Sequence, residues 1–201
     1  MSHRFGKVQY TEFIQPDVEW QWCYSAKELQ KLLRESFIGK KLNGLFVDLE
    51  GYLESGNHST DYIDLSCEGG GCNLIIGDDL LELGLHAEGQ FNYHISPLNT
   101  VTLHSIKDFP PNDFAKLGDC FFDVNDHDIT TKIAGQIIRN IEVRGTYMWC
   151  FSIETFDEEK AEKNDLPAEI DFTTDYFTLR LIGDNIEYYR LKIEKKLMNR
   201  K

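Results

Sequence analysis

The sequence predicts an α+β protein dominated by antiparallel β-sheet, with one amphipathic helix near its N-terminal end. Three observations predict it. Short runs alternating apolar and polar side chains recur along most of the chain, which is the period of half-buried strands. One stretch alone, residues 26–37, carries apolar side chains at helical spacing. A strand–turn–strand block also occurs twice.

The repeated block is Leu74-Ile75-Ile76-Gly77-Asp78-Asp79-Leu80, whose second copy is Arg180-Leu181-Ile182-Gly183-Asp184-Asn185-Ile186. Upstream, Ile63-Asp64-Leu65-Ser66 matches Ile170-Asp171-Phe172-Thr173, and Gly39, Leu42, Leu45 and Val47 match Gly135, Ile138, Ile141 and Val143. Self-similarity of this kind predicts an internal duplication into two similar β units. Each Gly-Asp pair reads as a tight hairpin turn, because glycine tolerates positive φ. The segment 154–165 is the insertion that separates the spacing of the two copies. The expected organisation is a single compact domain over 1–201 with two sub-units. Residues 1–108 hold a strand, the helix 26–37 and the first β repeat, 39–106. Residues 109–201 hold the second, 133–193, with Phe109-Pro110-Pro111-Asn112-Asp113 as the hinge.

In chain order, Val18, Trp20, Trp22 and Tyr24 alternate with polar residues and predict a strand with one aromatic face. Ser25-Ala26-Lys27-Glu28 is a capping box. Leu29, Leu32, Leu33 and Phe37 then form the apolar stripe of the helix, and Gly39 stops it. Residues 42–53 read as a strand bulged at Gly51. Residues 90–95 and 101–106 read as the two arms of a hairpin across Ser96-Pro97-Leu98-Asn99-Thr100, centred near Leu98. The second copy continues as strands through 143, 148–153, 170–173, 176–182 and 186–193, and the basic tail 195–201 frays.

Composition bounds the function. With 41% hydrophobic and 12% aromatic residues, the chain can build a sizeable core. Its 34 acidic and 21 basic side chains give a formal charge of −13, a field that repels nucleic acid and steers toward a basic partner. No apolar run approaches the ~20 residues of a membrane span, and no apolar signal region follows Met1, so a cytoplasmic protein without a membrane partner is expected. Five scattered cysteines, at 23, 67, 72, 120 and 150, suit a reducing compartment.

Few stretches carry chemistry. His94 and His104 fall on the polar faces of the expected hairpin and are the candidate metal ligands. Cys67-Glu68-Gly69-Gly70-Gly71-Cys72 reads as a hairpin loop, because a zinc site needs a second ligand pair and a dinucleotide loop needs a following helix. Asp123 to Asp128 lacks the glycine and glutamate of a calcium loop. No nucleophile elbow, zinc-protease or phosphate-loop motif occurs, and no cofactor is implied. Trp20 and Trp22 form a possible aromatic surface. Glu154, Asp157, Glu158, Glu159 and Glu162 form the candidate interaction surface.

These features predict a non-enzymatic protein–protein interaction module with an acidic surface and a basic protein partner. In size, charge and β content the chain resembles small immunity or accessory proteins that neutralise or escort a partner. The alternative is a small-molecule or metal-binding β protein, an enzyme included, with a site between the two β units, in which the Trp20/Trp22 strand or the His94/His104 face lines the cleft. Pairing of edge strands would give a homodimer.

Overall fold

The computed structural model describes residues 9–14, 19–48, 53–58, 62–68, 71–85, 91–106, 120–123, 134–146, 165–184 and 188–196. These form one α-helix and fifteen strands. The first strands are β1 (Gln9–Ile14) and β2 (Gln21–Trp22), followed by helix α1 (Ala26–Phe37) and by β3 (Lys41–Asp48), β4 (Leu53–His58), β5 (Tyr62–Glu68), β6 (Gly71–Ile76) and β7 (Asp79–Leu85). Then come β8 (Phe91–Pro97), a 3-10 turn (Leu98–Thr100), β9 (Thr102–Ile106), β10 (Cys120–Asp123), β11 (Gln136–Ile137), β12 (Asn140–Thr146), β13 (Leu166–Thr173), β14 (Phe177–Asp184) and β15 (Tyr188–Lys195). The mostly antiparallel β class with one helix is therefore what the chain adopts. No helix among the described residues is long and apolar enough to cross a membrane.

The helix forms where its cap and stripe require. Ser25 accepts from the Glu28 amide at 3.3 Å, as the capping box demands. Asp165, at the foot of β13, completes the cap: its Oδ2 accepts from Ser25 Oγ at 2.6 Å, and its carbonyl accepts from the Ala26 amide. Ala26, Leu29, Leu33 and Phe37 are buried, while Lys27, Glu28, Lys31, Arg34 and Glu35 face water. The helix is pinned to β12 as well, where Gln30 Oε1 accepts from the Val143 amide at 2.9 Å.

Two sheets share the strands. The larger runs β2-β8-β7-β6-β3-β10-β1-β9, with β11 on the same side of β3 as β10. The smaller runs β12-β13-β14-β15-β5-β4. One face of each sheet and the helix meet in a single apolar cluster that includes Leu33, Phe37, Leu45, Leu74, Leu81, Phe91, Ile141, Ile170, Phe172, Leu181 and Ile193.

The larger sheet must coil. Six strand spacings separate β8 from β9 along its ladder, about 29 Å if the sheet were flat. The five-residue step from Pro97 to Thr102 reaches at most ~18 Å. Leu98 and Val101, within that step, pack against Phe46, Ile75 and Leu80. These lie on the face opposite the shared cluster, so the sheet coils toward that face and makes it concave.

Several expectations are corrected. Residues 90–95 and 101–106 do not pair as a hairpin: β8 pairs with β7 and β2, and β9 pairs with β1. The strand expected over 18–24 is only two residues long, because Cys23 leaves the ladder after bonding the Phe91 carbonyl. Cys67 to Cys72 is a crossover and not a hairpin loop, since β5 lies in the smaller sheet and β6 in the larger.

The two Gly-Asp blocks also part company. Gly77, at φ +62°, starts the two-residue turn between β6 and β7. Gly183 and Asp184 lie inside β14, paired with Tyr189 and Tyr188. Each sheet takes strands from both halves of the chain. Gly39 and Gly135 do behave alike: φ is +85° and +83°, the Gly39 amide donates to the Ile138 carbonyl, and the Gly135 amide donates to the Leu42 carbonyl. The likeness does not extend to the hairpins. The hinge 109–113 lies outside the described residues, as does the insertion 154–165 apart from Asp165.

Phe37 is fully buried between the helix and both sheets. Phe37→Ala is expected to cost about 3–5 kcal/mol in urea unfolding. Ser25→Ala, which removes only the cap, is expected to cost about 1 kcal/mol.

Candidate functional site

The concave face of the larger sheet is built from three cross-strand rows. Residues directly opposite in an antiparallel pair share a face. One row is Gly71 (β6), Gly84 (β7), Asn92 (β8) and Trp22 (β2). The next is Phe46 (β3), Asn73 (β6), Glu82 (β7) and His94 (β8). The third is Gly44 (β3), Ile75 (β6), Leu80 (β7) and Ser96 (β8). Alternation explains the placement: Cys72, Leu74, Leu81, Leu83 and Phe91 point the other way, into the shared cluster.

This face is polar and yet covered. Asn73 is 2% exposed, Glu82 4% and Asn92 8%, and Ser96 is buried beside them. Coiling explains the crowding. A Cβ on Gly84 would lie 1.9 Å from Asn92 Oδ1, and one on Gly44 would meet the rings and methyls of Phe46 and Ile75 at 3.0–3.3 Å. The glycines are where neighbouring side chains fold over the strand.

Among the described residues, two side-chain atoms on the face lack a hydrogen-bond partner, Asn73 Nδ2 and Asn92 Oδ1. His94 is better held. Its Nδ1 lies 3.3 Å from Ser96 Oγ and 4.0 Å from Glu82 Oε2. Burial pushes its pKa below the ordinary 6.5, so the imidazole is neutral at pH 7. At the end of the strands, Asp78, Asp79, Pro97, Leu98 and Asn99 line an open hollow of about 550 Å³. Leu98 lines the hollow and also packs on the concave face.

A second polar cluster lies on the smaller sheet, on the face away from the shared core. Arg144 bonds Glu169 and reaches Asp171 at 2.6 Å and Glu142 at 3.2 Å. Arg180 reaches Asp171 at 2.8 Å and Glu169 at 2.7 Å. Burial alone would raise the Asp171 carboxyl, but hydrogen bonds from Arg180 and Arg144 outweigh it and hold it below the usual range. The same bonds raise Arg144, those to Glu169 and Asp171 most strongly. The carboxylates are engaged by guanidinium groups in register, the arrangement of a structural ladder.

Of the residues singled out in the sequence, the fold brings His94 and Trp22 onto the concave face. Trp22 is half-buried and Trp20 is 38% exposed just before β2. The backbone of His104 lies on β9, opposite Glu12 of β1, and its side chain is outside the described residues. Among the described residues no three of His, Cys, Asp and Glu gather to hold a metal. Glu154, Asp157, Glu158, Glu159 and Glu162 lie outside the described residues. Cys23 and Cys72 are buried, and burial pushes the Cys23 thiol up, which suppresses its reactivity.

Sequence reasoning missed Asn73, Glu82, Asn92 and Ser96. Each sits at an alternate position of an apolar strand, which reads as the water-facing side. The available signal was glycine: Gly44, Gly71 and Gly84 occupy the same alternation as these polar residues, and glycine in a strand marks close approach.

No protein-family model, curated protein or solved structure matches the chain.

The lowered His94 pKa makes stability depend on pH. The unfolded histidine titrates near 6.5 and the native one lower. On acidification the unfolded chain takes up the proton first, so this stability is complete above pH ~6.5 and lost as pH falls through the native value. His94→Gln is expected to flatten that part of the decline in urea midpoints measured from pH 7.5 to 5. An unchanged slope would place the acid sensitivity elsewhere.

Proposed function

We propose that this chain is a non-enzymatic binding protein that holds a small molecule on the concave polar face of β6, β7 and β8. The observation that carries the reading is the pair of buried, unpartnered atoms Asn73 Nδ2 and Asn92 Oδ1. An unmade hydrogen bond on a buried group costs about 1–3 kcal/mol, and native interiors keep few. A ligand that bonds both atoms recovers that cost.

Binding is favoured over catalysis by the wiring of His94. A serine–histidine–acid relay needs the serine on one ring nitrogen and the acid on the other. Here Ser96 and Glu82 both approach Nδ1. The serine and the acid therefore share one ring nitrogen, which is not the wiring of that relay.

A second reading is an interaction module whose acidic surface meets a basic protein. It is supported by the formal charge of −13 and by the pairing of Arg139, Arg144 and Arg180 with acids, which leaves the excess negative. Capture of one basic protein at low salt, released at high salt, would favour it over the ligand.

The ligand reading predicts a trade of stability for function. Asn92→Leu is expected to raise the urea stability of the ligand-free protein by about 1 kcal/mol, because an orphaned polar group is removed. The same change is expected to abolish the small-molecule adduct seen by native mass spectrometry after incubation with cytosolic extract. An Asn92→Leu protein that is less stable, together with no adduct on the parent chain, would refute the reading.

A further inference from the structure

We infer that the two sheets carry two copies of one four-stranded unit, and that the row Asn73, Glu82 and His94 is where the copies have been specialised: its counterpart in the smaller sheet is closed by its own ion pairs. The first copy is β3-β6-β7-β8 and the second is β12-β13-β14-β15.

Ladder register carries the equivalence. In the first copy Leu74 faces Leu81, which faces Ile95 on the next strand. Moved on by 98 positions, Phe172 faces Leu179, which faces Ile193. The pairs Cys72–Leu83 and Asn73–Glu82 map in the same way onto Ile170–Leu181 and Asp171–Arg180. The backbone bond at the end of the unit maps as well: the Leu98 amide donates to the Asp78 carbonyl, and the Lys196 amide to the Tyr176 carbonyl. The first strands follow at 96 positions, with Leu45 against Leu74 and Ile141 against Phe172. Two unrelated meanders have no reason to share both connection lengths and also the face turned to the core. Here Leu74 and Leu81 enter the shared cluster, and so do their counterparts Phe172 and Leu179. The Gly-Asp blocks, 106 positions apart, are a different alignment, which sets a turn against a strand.

The copies meet about a twofold axis. The Gly39 amide donates to the Ile138 carbonyl at 2.9 Å, and the Gly135 amide to the Leu42 carbonyl at 2.7 Å. A step of 96 positions carries Gly39 to Gly135 and Leu42 to Ile138, so each bond is the image of the other. Lys41 and Ile137, also 96 positions apart, face each other between them. Reciprocal contacts of this kind are those of an isologous interface, here within one chain.

Equivalence puts the two polar clusters at the same addresses. Asn73 stands in the place of Asp171, Glu82 in that of Arg180, and His94 in that of Lys192. In the smaller sheet Arg180 donates to Asp171 through two nitrogens, at 2.8 and 2.9 Å. In the larger sheet an amide replaces the acid and an acid replaces the cation, and Asn73 Nδ2 is left open. The same scaffold thus folds with a closed row, and folding does not call for the open one. That the open row is kept for binding rests on the ligand reading above.

The test moves the closed row into the larger sheet of the full chain. Asn73→Asp alone sets two carboxylates opposite each other, and Glu82→Arg alone buries a cation with no acid opposite. Each is expected to lower the urea midpoint. Together they recreate the Asp171–Arg180 pair, and the double variant is expected to unfold at a higher midpoint than either single one. Asn73→Asp/Glu82→Lys repeats the cycle with a slimmer cation on this crowded face. Additive losses in both cycles, or no folded double variant in either, would overturn the equivalence. Native mass spectrometry reads the specialisation: the folded double variant is expected to lose the adduct that the parent chain forms with extract. An adduct kept by that variant would overturn the specialisation and leave the equivalence standing. A parent chain without an adduct would remove the specialisation together with the ligand reading, while the midpoints still decide the equivalence.

Discussion

The five-residue step from Pro97 to Thr102 constrains the larger sheet more than any other connection. It joins strands that stand six ladder positions apart, so the sheet has to coil. Coiling gives the sheet an inside. The inside crowds side chains together, which is why Asn92 lies over Gly84 and why Phe46 and Ile75 close over Gly44. The polar face of an ordinary half-buried sheet would be wet. Here it is covered, and every polar atom on it must find a partner or carry a penalty.

The outside of the same sheet is tied to the rest of the molecule by the helix. α1 leaves β2 and returns to β3, both in the larger sheet, yet its backbone is fastened to the smaller one. Asp165, just before β13 of the smaller sheet, caps its first turn, and Val143 bonds Gln30 in its middle. Sequence separations of 140 and 113 residues are closed by these two contacts. The apolar cluster beneath them is continuous, so the helix and both sheets contribute to one core.

The two sheets treat buried polarity in opposite ways. On the smaller sheet, Asp171 sits among Arg144 and Arg180, and opposite charges in register neutralise one another. That arrangement is self-sufficient. On the larger sheet the rows hold two neutral amides with open valences and an imidazole kept uncharged. The first cluster serves the fold, and the two open amide atoms of the second are what the ligand proposal rests on.

By itself the sequence determined what depends on neighbours a few residues apart. The N-cap at Ser25, the stripe of Leu29, Leu33 and Phe37, and the turn at Gly77 all follow from local chemistry, and the structure forms each of them. Strand existence was legible for the same reason, through alternation. Strand partnership was not. Gly77-Asp78 and Gly183-Asp184 look alike in sequence, but only the first is a turn, because register in β14 is fixed by Ile193 and Leu191 across the strand pair. The pairing of residues 90–95 with β7 in place of 101–106 was equally out of reach. Only the tertiary structure decided that Asn73, Glu82, Asn92 and His94 share one covered face. Alternation says that two sets of side chains point opposite ways, and it leaves open which set meets water. That is settled by how far the sheet coils, a property of the whole ladder.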